Sequence, residues 1–227
     1  MLTRDKFLHA PIGTATAAGL CMPRAEAAAP PPARKTASVA LQTLLEGNKR
    51  YAADRPTHSE HGIHREETAS RQHPFAVVLS CSDSRVSPEI LFDEGIGELF
   101  VVRVAGNVAS DVCIGSIEYA VSHFTCSLLL VLGHTNCGAV HAAVDALEHH
   151  EPAPGQIETI VQEIIPAANA ARHEAGDVYL NVTKANARAV TAKLRVTQPI
   201  LKEAVDAKRL EIVPALYTLK TGYVSLL

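Results

Sequence analysis

The sequence predicts an α/β fold: a central, mostly parallel β-sheet flanked by helices. Three observations predict it. Short apolar runs alternate along the chain with longer segments of helical periodicity. The clearest run, Leu128 to Leu132, is apolar at every position, as a parallel strand covered on both faces should be. The 227 residues, 47% of them hydrophobic, are enough to bury one full core.

The elements follow in order. Val39, Leu41, Leu44 and Leu45 stand near helical spacing, so Ser38 to Ala53 is an expected amphipathic helix. A polar stretch follows, with His58, His61 and His64 on one helical face; a solvated surface is its expected state rather than a metal site. Phe75–Ser80 and Glu98–Arg103 are expected strands. Asp111 to Phe124 is an expected helix with Asp111 as its N-cap. Ser127–Leu132 is the third strand. Helices are expected over Ala139–His149, Ile157–Ala171 and Thr183–Ala207. Leu210–Ala215 and Tyr223–Leu227 close the chain as strands, joined by a turn at Thr221-Gly222.

Composition excludes several classes. The net charge is −3, without the basic excess of a nucleic-acid-binding protein. Trp is absent and aromatics make up 4%, which leaves few platforms for base stacking. No apolar run is long enough to span a bilayer. Five cysteines in so long a chain are a poor disulfide framework. Cys113 and Cys126, on or near one helix, are about 20 Å apart, beyond disulfide reach.

Residues 1–36 differ from the rest. Arg4 and Lys6 precede a weakly apolar stretch, Ala25-Glu26-Ala27 has a small-x-small pattern, and Pro30-Pro31-Pro32 follows. This segment reads as an export signal cleaved near Ala27 plus a Pro-rich linker, which places the mature protein in a bacterial periplasm; without cleavage the chain stays cytoplasmic. Asp5 stands where a twin-arginine signal has its second arginine. Leu20 before Cys21 departs from a lipoprotein cleavage box.

Two segments carry the chemistry: Cys81-Ser82-Asp83-Ser84-Arg85 and Gly133-His134-Thr135-Asn136-Cys137-Gly138. Each follows a strand, so in a parallel sheet both lie at the carboxyl edge, where ligand sites form. If the first and third strands are neighbours, Cys81 meets His134 and Cys137. His-x-x-Cys lets one turn offer two ligands to one ion, and three protein ligands leave a fourth position for water, as in catalytic zinc sites. Spacing alone leaves other readings open. The thiols could be packing residues, or Cys81 or Cys137 a nucleophile with a histidine base. A zinc nucleoside deaminase is excluded, since neither His-x-Glu nor Pro-Cys-x-x-Cys occurs.

These two segments resemble the signature pair of the β-class carbonic anhydrases. The resemblance extends over ALQTLLEGNKRY, PFAVVLSCSDSRVSPEILFDEGIGELFVVRVAGN, GSIEYAV, LLLVLGHTNCGAVHAA and LEIVPALYTLKTGYV. It covers the chain from about residue 40 to the end, so residues 37–227 are the expected domain. The resemblance implies reversible hydration of carbon dioxide to bicarbonate, one zinc per chain on Cys81, His134 and Cys137, and a homodimer or larger homo-oligomer with the metal near the subunit interface. By position, Gln72, Asp83 and Arg85 match the family's polar site residues. Phe100, Ala105 and Tyr119 match its apolar substrate pocket, partly across the interface. Val104 stands where many members have Asn, and Ala105 is small for its position. In the family Asp83 has two states: paired with Arg85 in an open site, or a fourth zinc ligand in a closed one. Two thiolates cancel the charge of zinc, so the expected working pH is alkaline. Two alternatives remain at this level. One is a related zinc hydrolase of carbon disulfide or carbonyl sulfide. The other is a non-catalytic zinc-stabilised binding protein, which would need neither Asp83 nor Arg85.

Overall fold

The structure is a computed structural model that describes residues 35–58, 65, 66 and 68–227. The expected export signal and nearly all of the linker, and with them the localisation, lie outside the described residues, as do His61 and His64.

The described elements run in the order α1 (Ala37–Ala52), β1 (Ala76–Ser80), α2 (Pro88–Leu91), β2 (Leu99–Arg103), a 3₁₀ turn (Ala105–Asn107), α3 (Asp111–His123), β3 (Leu128–His134), α4 (Gly138–His149), α5 (Ile157–Ala171), α6 (Val178–Val196), α7 (Ile200–Asp206), β4 (Glu211–Tyr217) and β5 (Val224–Leu226). The sheet order is β2-β1-β3-β4-β5. The first four strands are parallel and β5 is antiparallel to β4. The expected fold class is therefore the observed one, and the first and third strands are neighbours.

Every residue of β1 and β3 is buried. Alternate side chains divide between two cores. Val77, Leu79, Leu129 and Val131 pack on one face with Ile117 of α3, Leu194 of α6 and Leu201 of α7. Ala76, Val78, Leu128, Leu130 and Leu132 pack on the other with Leu44 of α1 and Leu91 of α2. A third cluster gathers α4, α5 and Val182 of α6 around Cys81 and Cys137. Cys81 and Cys137 are thus seated among packed apolar side chains.

The first helix is capped by Thr36, whose Oγ1 accepts the Val39 amide. It lies so close to α2 that a Cβ at Gly47 would meet the Phe92 carbonyl oxygen. The next residue, the buried Asn48, donates to the Leu91 and Gly222 carbonyls and accepts from the Val224 amide, which ties the helix to the last strand.

Three elements differ from expectation. Ser110, not Asp111, precedes α3; Asp111 is its first helical residue, where a carboxylate complements the helix dipole. The third strand runs two residues further than its apolar run, because pairing with β4 continues to His134 opposite Tyr217. The long helix expected over Thr183–Ala207 is two helices, α6 and α7. Pro199 has no amide hydrogen and its ring blocks the preceding turn, so the helix stops before it. The first of the two begins at Val178, because Asp177 caps the Tyr179 and Leu180 amides.

Candidate metal centre

The carboxyl ends of β1 and β3 lie side by side, with Ser80 opposite Leu132. Cys81 follows β1, His134 ends β3, and Cys137 is the residue before α4. Asn136 takes a left-handed conformation (φ 56°) that turns the loop back and points Cys137 toward His134.

All three side chains are buried, and one sulfur or nitrogen atom from each lies within 4.8 Å of the others. The two sulfurs are 4.0 Å apart. Two thiolates on a tetrahedral zinc at 2.3 Å would be about 3.8 Å apart. His134 Nδ1 faces the Thr135 carbonyl at 3.0 Å, so it carries the hydrogen and leaves the Nε2 lone pair toward the sulfurs. Nε2 is fully buried with no hydrogen-bond partner. A buried acceptor without a donor is costly, and a cation at the centre of the three atoms satisfies it. The donor set therefore fits zinc.

The two thiols are unequal. The hydrogen bond from Cys137 lowers the Cys81 thiol to a pKa of about 4, helped by His134 and by the Gly106 and Asp83 amides. Those amides lie 3.3 and 3.4 Å from Cys81 Sγ. The same hydrogen bond between the two free thiols, with burial, pushes Cys137 up.

Asp83 stands at the rim. Its carboxylate takes both nitrogens of the Arg85 fork, Nε at 2.9 Å and Nη2 at 2.7 Å, and the Arg85 amide at 3.0 Å. These bonds, the side-chain ones first, hold its pKa far below the usual carboxylate range. Oδ2 is 4.0 Å from His134 Nε2. The carboxylate is therefore within reach of the cluster yet committed to Arg85, which also reaches the Asn136 carbonyl at 3.4 Å. This is the open arrangement.

Two contributors were not singled out in the sequence. Arg103 ends β2 and binds the Cys81 carbonyl at 3.1 Å and the Asp83 carbonyl at 2.7 Å, clasping the loop. Gly106 (φ 70°) brings its amide to the Cys81 sulfur; a Cβ there would strike Ile164 and Ala139. Asn186 supports it through the Gly106 carbonyl at 2.9 Å. The available signal for Arg103 was its place at the end of an apolar run, level with Ser80.

The remaining expected site residues lie elsewhere in the chain. Ala105 is half-buried beside Gly106. Gln72 is exposed ahead of β1, at the other end of that strand from Cys81. Phe100 sits opposite Val77, three positions before the strand end. Its ring meets Tyr119 at 6.2 Å and Phe124 at 5.9 Å, and Tyr119 stacks on His123 at 4.2 Å. Tyr119 is half exposed. One chain thus brings Cys81, His134, Cys137, Asp83 and Arg85 together, with Ala105 nearby, and leaves Gln72, Phe100 and Tyr119 on other surfaces.

A parallel sheet with a three-ligand Cys₂His cluster at its carboxyl edge, and an aspartate held at the open side, defines a protein of the catalytic-metal class. The carbonic anhydrase family model matches residues 76–224. Carbonic anhydrase 2 of Mycobacterium tuberculosis is 36% identical over 184 residues, 81% of this chain and 89% of its own. A carbonic anhydrase of Mycolicibacterium smegmatis is 39% identical over 189 residues, 82% and 91% of the two chains. The β-carbonic anhydrase of Coccomyxa, solved with acetazolamide, aligns with TM-score 0.64 and 28% identity over 82% of this chain and 86% of its own. The chain belongs to the β-carbonic anhydrases.

Proposed function

We propose that this protein hydrates carbon dioxide to bicarbonate and a proton, reversibly, with one zinc ion on Cys81, His134 and Cys137. The observation that carries this reading is the pairing of three buried, mutually close ligand atoms with an aspartate that is within reach but held aside by arginine. A site built only to staple the fold has no use for that aspartate.

When bound, zinc supplies the Lewis acidity that lets a water molecule give up a proton near neutral pH. The chain's own residues do the rest. Asp83, kept anionic by Arg85, accepts a hydrogen bond from that water and sets the direction of its free lone pair. Arg85 prevents Asp83 from turning in to become a fourth ligand. Arg103 and the Gly106 amide keep Cys81 fixed.

The subunit is proposed to work as at least a dimer. β2 is an edge strand, and beside it Tyr119 and Val112 of α3 are exposed. A second copy covering this face would let Gln72, Phe100 and Tyr119 line a site they do not line within one chain. The β-carbonic anhydrases of Sordaria macrospora, which share the fold at TM-score 0.65 and 22% identity, are described as tetrameric. Light scattering that finds an active monomer overturns the dimer.

The activity is tested by measuring zinc content and carbon dioxide hydration on one purified sample. One zinc per chain and a hydration rate well above buffer are expected. Cys137→Ser replaces a thiolate by a neutral hydroxyl and should lose most of both. Full zinc occupancy in that variant overturns the ligand assignment.

A further inference from the structure

A second polar cavity opens at the amino edge of the sheet. It measures about 270 Å³ and is lined by Lys35, Thr36, Ala37, Ser127, Lys208 and Arg209. Three of these residues, Lys35, Lys208 and Arg209, are cationic, and none of the lining residues is acidic.

The first donors come from α1, a helix of 16 residues. Its first intrahelical bond runs from the Ala40 amide to the Thr36 carbonyl, and Thr36 Oγ1 takes the Val39 amide. The Ala37 and Ser38 amides precede these bonds and belong to the set that a helix start leaves over. They sit at the positive end of the helix dipole. Lys35 is held beside them, its ammonium 3.8 Å over the Phe75 ring. Lys208 and Arg209 enter from the turn after α7. There the left-handed Lys208 (φ 56°) reverses the chain, and the Arg209 and Leu210 amides close on the Ala204 carbonyl.

The independent observation is Ser127. It lies just ahead of β3, is 4% exposed, and lines the cavity. Its carbonyl is taken by the Glu211 amide, but its Oγ is buried with no hydrogen-bond partner. An unsatisfied buried hydroxyl is costly, and the oxygen of a bound ligand would satisfy it. The acids nearest along the chain, Asp206 and Glu211, are exposed, and neither is part of the lining.

Cations, helix-end amides and a hydroxyl around one cavity select a ligand with several acceptor oxygens and negative charge. We propose that this cavity is a binding site for a phosphate-type oxyanion, taken either as inorganic phosphate or as a phosphomonoester. It goes beyond the carbon dioxide reading and does not depend on it. His134 lies seven positions along the chain from Ser127, at the far end of β3, about 23 Å of strand, so the oxyanion and the substrate occupy separate places.

The test is an equilibrium titration of the full chain, as purified, at constant ionic strength. Inorganic phosphate is used in one arm and phenyl phosphate in the other, with binding read by calorimetry. One site per chain is expected. Tighter binding of the ester supports a phosphomonoester ligand, and tighter binding of phosphate supports the free ion. The double variant Lys35→Ala/Lys208→Ala should bind at least about tenfold more weakly, because charge-assisted bonds are lost. Ser127→Ala should bind about threefold more weakly, with the hydration rate unchanged in both variants. If neither anion binds at tens of millimolar, or if the double variant binds as tightly as the parent, the proposal is overturned. A Ser127→Ala protein that gains stability but keeps its affinity shows that the hydroxyl does not face the ligand, which also overturns it.

Discussion

Two aspartate–arginine pairs in this molecule share their chemistry but differ in what they leave available. Asp83 and Arg85 meet at the metal cluster; Asp93 and Arg50 meet where α1 packs on the end of α2. Both carboxylates are held far below the usual range. At Asp83 the Arg85 fork is the main cause. At Asp93 burial by itself would raise the pKa, but bonds from the His58 amide, Arg50 and Thr57 outweigh it. The difference lies in what remains unspent. The Asp93 side chain is 1% exposed, and its two oxygens also take the Thr57 amide, the Thr57 hydroxyl and the His58 amide. Nothing is left for a ligand. Asp83 has one arginine partner, is 17% exposed, and faces a buried histidine nitrogen with no partner of its own. A saturated pair fastens the chain, whereas an unsaturated one beside open chemistry can act on a substrate.

The largest expected effect breaks the first pair. Arg85→Leu should keep its zinc and fold, yet lose at least about 10²-fold in carbon dioxide hydration, because Asp83 is released to bind the metal. Asp83→Ala should lose activity too but keep an open fourth position. X-ray absorption should find a carboxylate at the metal in the first variant and water in the second. Wild-type turnover in a folded, zinc-loaded Arg85→Leu protein rules out a functional dyad.

Breaking the second pair should move stability and not chemistry. Asp93→Ala strands the Thr57 and His58 amides and part of Arg50, and should lower unfolding free energy by about 2–3 kcal/mol. Turnover per folded, zinc-loaded subunit should stay near the parent value. A urea titration alongside the hydration assay separates the two. A drop in turnover without a shift of midpoint would mean that the pairs are not distinct.

The smallest effect concerns Glu94, next to Asp93 but without its partners. Burial and the neighbouring Glu98 raise its pKa from 4.5 to about 8. Its Oε1 has no hydrogen-bond partner, and the residue is 4% exposed. In the folded chain it therefore holds a proton that the unfolded chain releases above pH 4.5. Its contribution to stability is present below pH 4.5 and is lost as pH rises toward 8. Glu94→Gln should flatten that decline between pH 5 and 8. Thermal melts of both proteins across this range measure it. Parallel pH curves would show that Glu94 is already ionised in the fold.

Much of this was legible in the sequence. The parallel sheet was readable because β1 and β3 are buried on both faces, so their side chains must be apolar throughout. That Cys81, His134 and Cys137 cluster was readable from their places at the ends of such strands, two of them one turn apart, and from the family resemblance, since spacing alone also allows packing thiols or a cysteine nucleophile. Asp83 and Arg85 were readable from the family resemblance, and their pairing is local, two residues apart. The break before Pro199 was also signalled, but apolar periodicity on both sides of it predicts one continuous helix.

What only the tertiary structure decided are the contacts that join distant segments. Arg103 on the Cys81 loop, Asn186 behind Gly106, Asp93 under Arg50 and Thr57, and Ser127 beside Lys35 and Lys208 are each brought together from separate elements. No local pattern marks them, because a hydrogen bond between residues 20 to 80 positions apart imposes no periodicity on the chain. Sequence by itself determined the strands, their double burial and the chemical identity of the ligands, since these rest on side-chain polarity and short-range spacing. Which carboxylate is saturated and which is left available was decided by packing, since only the folded chain sets how many donors reach each oxygen.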